Sequence, residues 1–154
     1  MSPKVPAPVP ETLREIEEGS RRVNKVATEL SQRIEAFEQW LNKLPGRVET
    51  TLWVRDGGEG GYETYFGLLL HRSGKKWIVS YGYSDNSGRP DDDWSWTPLN
   101  EASLEIKVKA VGNFPDLLKE IVKAQQSLTR RIEQAQSAFD DFAQAIGISS
   151  TEGQ

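Results

Sequence analysis

The chain has 154 residues and a formal net charge of −4, with no cysteine and a single histidine. Such a length fits one domain, and the negative balance supplies no global field that would draw the chain to nucleic acid or an anionic membrane. Disulfides, thiolate metal sites, cysteine nucleophiles and metal sites built from several histidines are excluded by composition alone.

The opening segment carries Pro3, Pro6, Pro8 and Pro10. Proline at this spacing favours an extended chain, so residues 1–10 read as a flexible tail. No hydrophobic stretch of signal-peptide type precedes the first helix, and no apolar run is long enough to span a bilayer. The expected location is therefore cytoplasmic.

A long helix is predicted over 11–44. Thr12 and Glu15 have capping-box spacing, and Pro45-Gly46 stops the pattern. Its apolar seam runs Leu13, Ile16, Ser20, Val23, Ala27, Leu30, Ile34, Phe37, Leu41, Leu44. The alternating steps of three and four are those of a coiled coil.

The middle of the chain changes period. Arg47–Arg55 alternates, with Val48, Thr50, Leu52 and Val54 on one face. Tyr62–Arg72 places Phe66, Leu68 and Leu70 on one face and Tyr65, Leu69 and His71 on the other. Lys75–Tyr83 places Trp77, Val79, Tyr81 and Tyr83 together. Asp56–Gly61 and Ser73-Gly74 read as the turns between them, which gives an antiparallel meander over 47–83. A small sheet of this kind needs a helix over one face.

Residues 84–93 read as a polar loop. After it, Leu99, Ala102, Ile106 and Ala110 fit a helical face, while Leu104, Ile106 and Val108 alternate like a fourth strand. Thr97-Pro98, as cap and first turn, favours a short helix within 84–111. A second long helix is predicted over 114–146, with Asn113 as a plausible cap and Pro115 and Asp116 in its first turn. Its seam is Leu118, Ile121, Gln125, Leu128, Ile132, Ala135, Phe139, Phe142, Ile146. Residues 148–154 read as a second flexible tail.

The two seams fit each other antiparallel when facing residues have numbers that add to 162. Val23 then meets Phe139, Ser20 meets Phe142, and Ile16 meets Ile146. This pairing can form a hairpin within one chain or join helices across a dimer. The flank is unusual, because coiled coils normally carry charges beside the seam. Here Gly19, Val26, Trp40, Ala124, Ala138 and Ala145 line one side, with Arg33 and Arg131 between them. A broad apolar strip of this kind implies a partner surface. Val26, Arg33, Trp40, Arg131 and Ala138 are its expected contacts, with Trp94 and Trp96 as further recognition candidates.

Other motifs are weaker. Asp91-Asp92-Asp93 with Asp85 lacks the calcium-loop pattern, and His71 has no evident partner. Gly57–Gly61 and Gly74-Lys75-Lys76 lack the spacing of a phosphate loop. No cofactor or metal is therefore expected, and no catalytic residue. The richest aromatic and basic set is Trp53, Trp77, Tyr81 and Tyr83 with Arg72, Lys75 and Lys76. On a sheet, aromatics of this kind can stack unpaired bases while cations hold phosphates.

The expected fold is α+β: two long heptad-patterned helices, as an antiparallel coiled-coil hairpin or dimer, bracketing a small three- to four-stranded antiparallel sheet. In element order this resembles prefoldin-type chaperone subunits. The likeness lies in outline, with no residue motif behind it, and it implies a chaperone-like or small regulatory role. The expected function is non-enzymatic: a protein–protein interaction or assembly module acting through helical surfaces, with a homo-oligomer (a dimer first) or another protein as partner. The alternative is single-stranded nucleic-acid binding by the sheet.

Overall fold

The structure is a computed structural model and describes residues 9–85 and 95–148. The elements run α1 (Val9–Lys43), β1 (Thr50–Arg55), β2 (Thr64–Ser73), β3 (Lys76–Asp85), β4 (Thr97–Pro98), a 3-10 turn (Leu99–Glu101), α2 (Leu104–Gly112) and α3 (Phe114–Ile146). Ser84 and Asp85, expected in the polar loop, instead continue β3; the rest of that loop with its aspartate triplet, Trp94, residues 1–8 of the proline tail and residues 149–154 lie outside the described residues.

The four strands form one antiparallel sheet in the order β1-β2-β3-β4. Leu52 pairs with Leu68, which pairs with Tyr81. Because side chains alternate along a strand, this register gathers Thr50, Leu52 and Val54 with Phe66, Leu68 and Leu70, and with Val79 and Tyr81, on one face. The helices cover that face. Ile34 and Leu41 from α1, Ala110 from α2, Leu117 and Ile121 from α3, and Leu99 join the strand residues in one buried cluster.

Turn chemistry sets the hairpins. The β2–β3 turn is Gly74-Lys75, one residue later than Ser73-Gly74, because Ser73 still pairs with Lys76. Gly74 has φ +63°, a value most easily taken by glycine at the first position of a tight hairpin turn. In the β1–β2 connection, Gly58 has φ +125°, and a Cβ there would lie 1.8 Å from the Tyr62 carbonyl oxygen. Only glycine fits at that position.

The segment after the loop is helical only from Leu104: of the expected face, Ile106 and Ala110 lie on α2, whereas Leu99 lies in the 3-10 turn and Ala102 is extended. Thr97 and Pro98 remain extended and pair with Tyr81 and Ser80. The helix begins at Leu104, capped by the Ser103 hydroxyl, which accepts from the Ile106 N–H. Asn113 joins α2 to α3 without capping α3 through its side chain; its amide donates instead to the Lys109 carbonyl. At the other end, α1 is already helical at Val9, so Thr12 lies inside it rather than at its cap. Gly147 closes α3 in the left-handed conformation at φ +78°.

The expected hairpin between the long helices does not form within the chain. α1 packs on β3 and α2, whereas α3 packs on β1 and α2. The two meet where Phe37 stacks on Phe114 with ring centroids 4.4 Å apart. Those residue numbers add to 151, eleven short of the seam register and not a multiple of seven away from it. The contact at the base and the seam therefore cannot be satisfied together. The sheet and α2 set the positions of the helices, and their outer parts stand clear as arms.

Candidate functional site

α1 is fixed to the outer edge of β3 by side chains. The Asn42 amide donates to the Trp77 carbonyl at 2.7 Å, and its oxygen accepts the Trp77 N–H at 2.8 Å. One turn earlier, Glu38 Oε2 accepts the Val79 N–H at 3.0 Å. β4 pairs with β3 at Ser80 and Tyr81, and Asn42 and Glu38 satisfy backbone groups of Trp77 and Val79 on the stretch of the edge before it. An open edge is a template for unwanted pairing. Burial raises the Glu38 pKa above the ordinary carboxylate value, and the Glu35 charge adds to this; the Val79 N–H and the Asn100 side chain oppose it.

Beyond this anchor both long helices leave the body. The seam residues Leu13, Ile16 and Val23 of α1 and Phe139, Phe142 and Ile146 of α3 are 53–57% exposed. These are the residues a hairpin would have buried. Every described residue of α1 from Pro10 to Val26 is exposed, as is every residue of α3 from Thr129 to Ile146 except Ala143. Phe139 and Phe142 lie 6.3 Å apart and form a small aromatic ridge.

The expected apolar flank is divided by this arrangement. Val26 lies on the α1 arm. Arg33 and Trp40 lie on the part of α1 above the body, where Trp40 stacks on Phe37 at 6.0 Å and stays half exposed. Arg131 and Ala138 lie on the separate α3 arm. One chain does not bring these five residues into a single strip. A shallow groove of about 530 Å³ lies along α3 between Val122 and Arg130.

The second surface is the sheet face away from the helices. Gly67 and Gly82 are paired directly across β2 and β3. A Cβ at Gly67 would lie 2.5 Å from the Trp53 ring, and one at Gly82 would lie 3.1 Å from the Trp96 ring. Two glycines thus form a floor on which two tryptophans lie, with ring centroids 5.3 Å apart. Trp53, Tyr65 and Ser84 line a cleft of about 280 Å³ beside them. The Tyr65 hydroxyl donates to Glu63, and that hydrogen bond raises its pKa. On the same face, His71 and Ser80 share a 2.8 Å hydrogen bond, so the histidine is a structural partner of a buried serine.

The aromatic and basic set is also split. Trp53 is on the open face, while Trp77, Tyr81 and Tyr83 share the parity of the helix-covered face. The Arg47 guanidinium lies over Trp77, and Lys109 lies over Phe66 and Tyr83. Arg72 donates to the Gly74 carbonyl in the hairpin that also carries Lys75 and Lys76. These seven residues do not make one platform. The sequence signal for the actual pair was the matched glycines, each opposite a tryptophan, and for the edge clamp it was Glu38 and Asn42 four residues apart.

Among the described residues, no group of three or more potential ligands could hold a metal ion, and no helix is long and apolar enough to cross a membrane. No family model, curated protein or solved structure matches the chain.

Proposed function

We propose that this protein is an assembly module, in which a rigid sheet-and-helix body carries two helical arms that join it to a second copy of itself. The proposed role is binding rather than catalysis. The observation that carries it is the exposure of the coiled-coil seam on both arms. A helix with a long apolar stripe gains stability by burying it. Returning each half-exposed seam side chain to a packed interior contributes roughly 1 kcal/mol, about half the value for complete burial.

Single-stranded nucleic-acid binding has less support. The aromatic set is divided between two faces, and Arg55 on the open side is engaged by Glu63 at 3.5 Å.

The test is the double substitution Phe139→Glu with Phe142→Glu. Both side chains are outside the buried cluster, so the body is expected to keep its circular dichroism and cooperative unfolding. The solution mass is expected to fall to that of one chain. A variant that keeps the parent's oligomeric mass would refute the reading.

A further inference from the structure

We infer that β1 is itself a contact between copies: its outer edge pairs antiparallel with β1 of a second copy, centred on Leu52, so that one sheet continues through the dimer. This rests on the assembly reading above for its partner and gives the body its own share of the contact.

The two sides of the sheet differ. On the β3 side, outward backbone groups of Trp77 and Val79 meet Asn42 and Glu38, and β4 takes the next stretch. On the other side β1 ends the strand order. The Asp56 N–H donates to the Thr64 carbonyl at 2.8 Å, which fixes the phase of the ladder. Even-numbered residues of β1 bond to β2, and Thr51, Trp53 and Arg55 turn their backbone groups outward. Among the described residues, no hydrogen bond meets the outward backbone groups of Thr51 and Arg55. α3 packs on β1 from the face of Leu52, through Leu117 and Ile121. The strand itself has no proline and no bulge, and its one charge, Arg55, stands at its end. An edge left in this state is a template for another strand.

The sequence of the edge points to a second copy as that strand. A strand paired with its own copy about a two-fold axis must match itself read backwards. Centred on Leu52, the pairing sets Thr50 against Val54, Thr51 against Trp53 and Glu49 against Arg55, each twice. Glu49 and Arg55 are both exposed, and by alternation they share the open face. Opposite charges therefore close the pairing at both ends. The Arg55 guanidinium lies 3.5 Å from Glu63 of its own chain, and its five donors leave room for a second carboxylate. Neighbouring registers lack this match. Centring on Thr51 sets Arg47 against Arg55, and centring on Trp53 sets Arg55 against Thr51 and Glu49 against Gly57. Like charges set directly opposite are destabilising.

The chain lacks cysteine, so single cysteines report unambiguously. Glu49→Cys and Arg55→Cys are made in separate full-length chains, one carrying a size tag, then mixed by co-refolding and oxidised. Facing Cα atoms in such a pair lie about 5.5 Å apart, within the span of a disulfide, whereas the two copies of residue 49 lie about 20 Å apart. The mixture is expected to form the mixed disulfide dimer at least tenfold faster than either protein links to itself. Equal rates for all three, or no linking while the unmodified chain weighs as a dimer, would overturn the β1 contact and leave the assembly reading standing. A monomeric unmodified chain overturns the assembly reading, and this contact with it. As an independent readout, Thr51→Pro removes an outward N–H and leaves the ladder to β2 intact. It is expected to keep the circular dichroism of the body and to raise the dimer dissociation constant about tenfold, with Thr51→Ala close to the parent. A dissociation constant unchanged by Thr51→Pro would also overturn the β1 contact.

Discussion

Asn42 is the residue on which the docking of α1 to the sheet is most directly tested. The substitution Asn42→Ala removes two hydrogen bonds to Trp77, at 2.7 and 2.8 Å. Each such bond contributes about 0.5–1.5 kcal/mol net, and a buried backbone group left unpaired costs about 1–3 kcal/mol. Trp77 is half-buried, so water can replace part of what is lost. The expected destabilisation is about 2 kcal/mol, seen as a lower urea midpoint with an unchanged slope. For a chain of this size it corresponds to a fall in Tm of roughly 4–8 °C. Protein concentration must be held fixed, since assembly adds to apparent stability. Asn42→Asp separates the two bonds: it keeps an acceptor for the Trp77 N–H but sets a carboxylate against the Trp77 carbonyl, and is expected to be no better than alanine. A change under about 0.5 kcal/mol for Asn42→Ala would refute the view that this side chain closes the β3 edge.

Three further predictions follow from the same packing. Gly67→Ala would place a methyl group against the Trp53 ring, lifting it from its floor; near-ultraviolet circular dichroism should lose the signal of the Trp53–Trp96 pair, with a cost of about 1–3 kcal/mol. Burial raises the Glu38 pKa, so the folded state binds that proton more tightly than the unfolded chain. The Glu38 contribution to stability therefore grows as pH falls from neutrality toward the ordinary carboxylate value and is lost as pH rises through the folded value. Glu38→Gln, which still accepts from Val79, should flatten this part of the stability–pH profile relative to the parent. Lys109 joins α2 to Asp56 at 2.8 Å and also reaches Tyr83; both partners are partly exposed, so Lys109→Met should cost only about 1 kcal/mol by thermal unfolding.

Much of the fold was legible because period is a local signal. The meander, the parity of each strand, the span 114–146 and the helical spacing of Ile106 and Ala110 all follow from spacing within a segment. Errors came where a neighbour decides. Thr97-Pro98 resembles a helix start, yet backbone pairing with Ser80 and Tyr81 keeps it extended. The heptads mark an apolar spacing along each long helix but neither the surface that covers it nor, on α3, the residue that is buried: Leu117 enters the core and the seam residue Leu118 stays exposed. A stripe on α1 can face another helix or a sheet, and Ile34, Glu38 and Leu41 face the sheet while Leu13, Ile16 and Val23 face outward. The aromatic set was misjudged for a similar reason. Trp53 and Trp77 were grouped in one sheet set, but register puts them on opposite sides, and the partner of Trp53 is Trp96, more than forty residues away in sequence. The glycines that receive the two rings carry no period at all.

The most direct test of the assembly reading is the solution mass of the full chain, by light scattering after size exclusion, across a range of concentrations. The account predicts a closed dimer of twice 17.3 kDa that dissociates on dilution and is abolished by Phe139→Glu with Phe142→Glu. A chain that weighs 17.3 kDa at every concentration, with its seam still exposed, would contradict it.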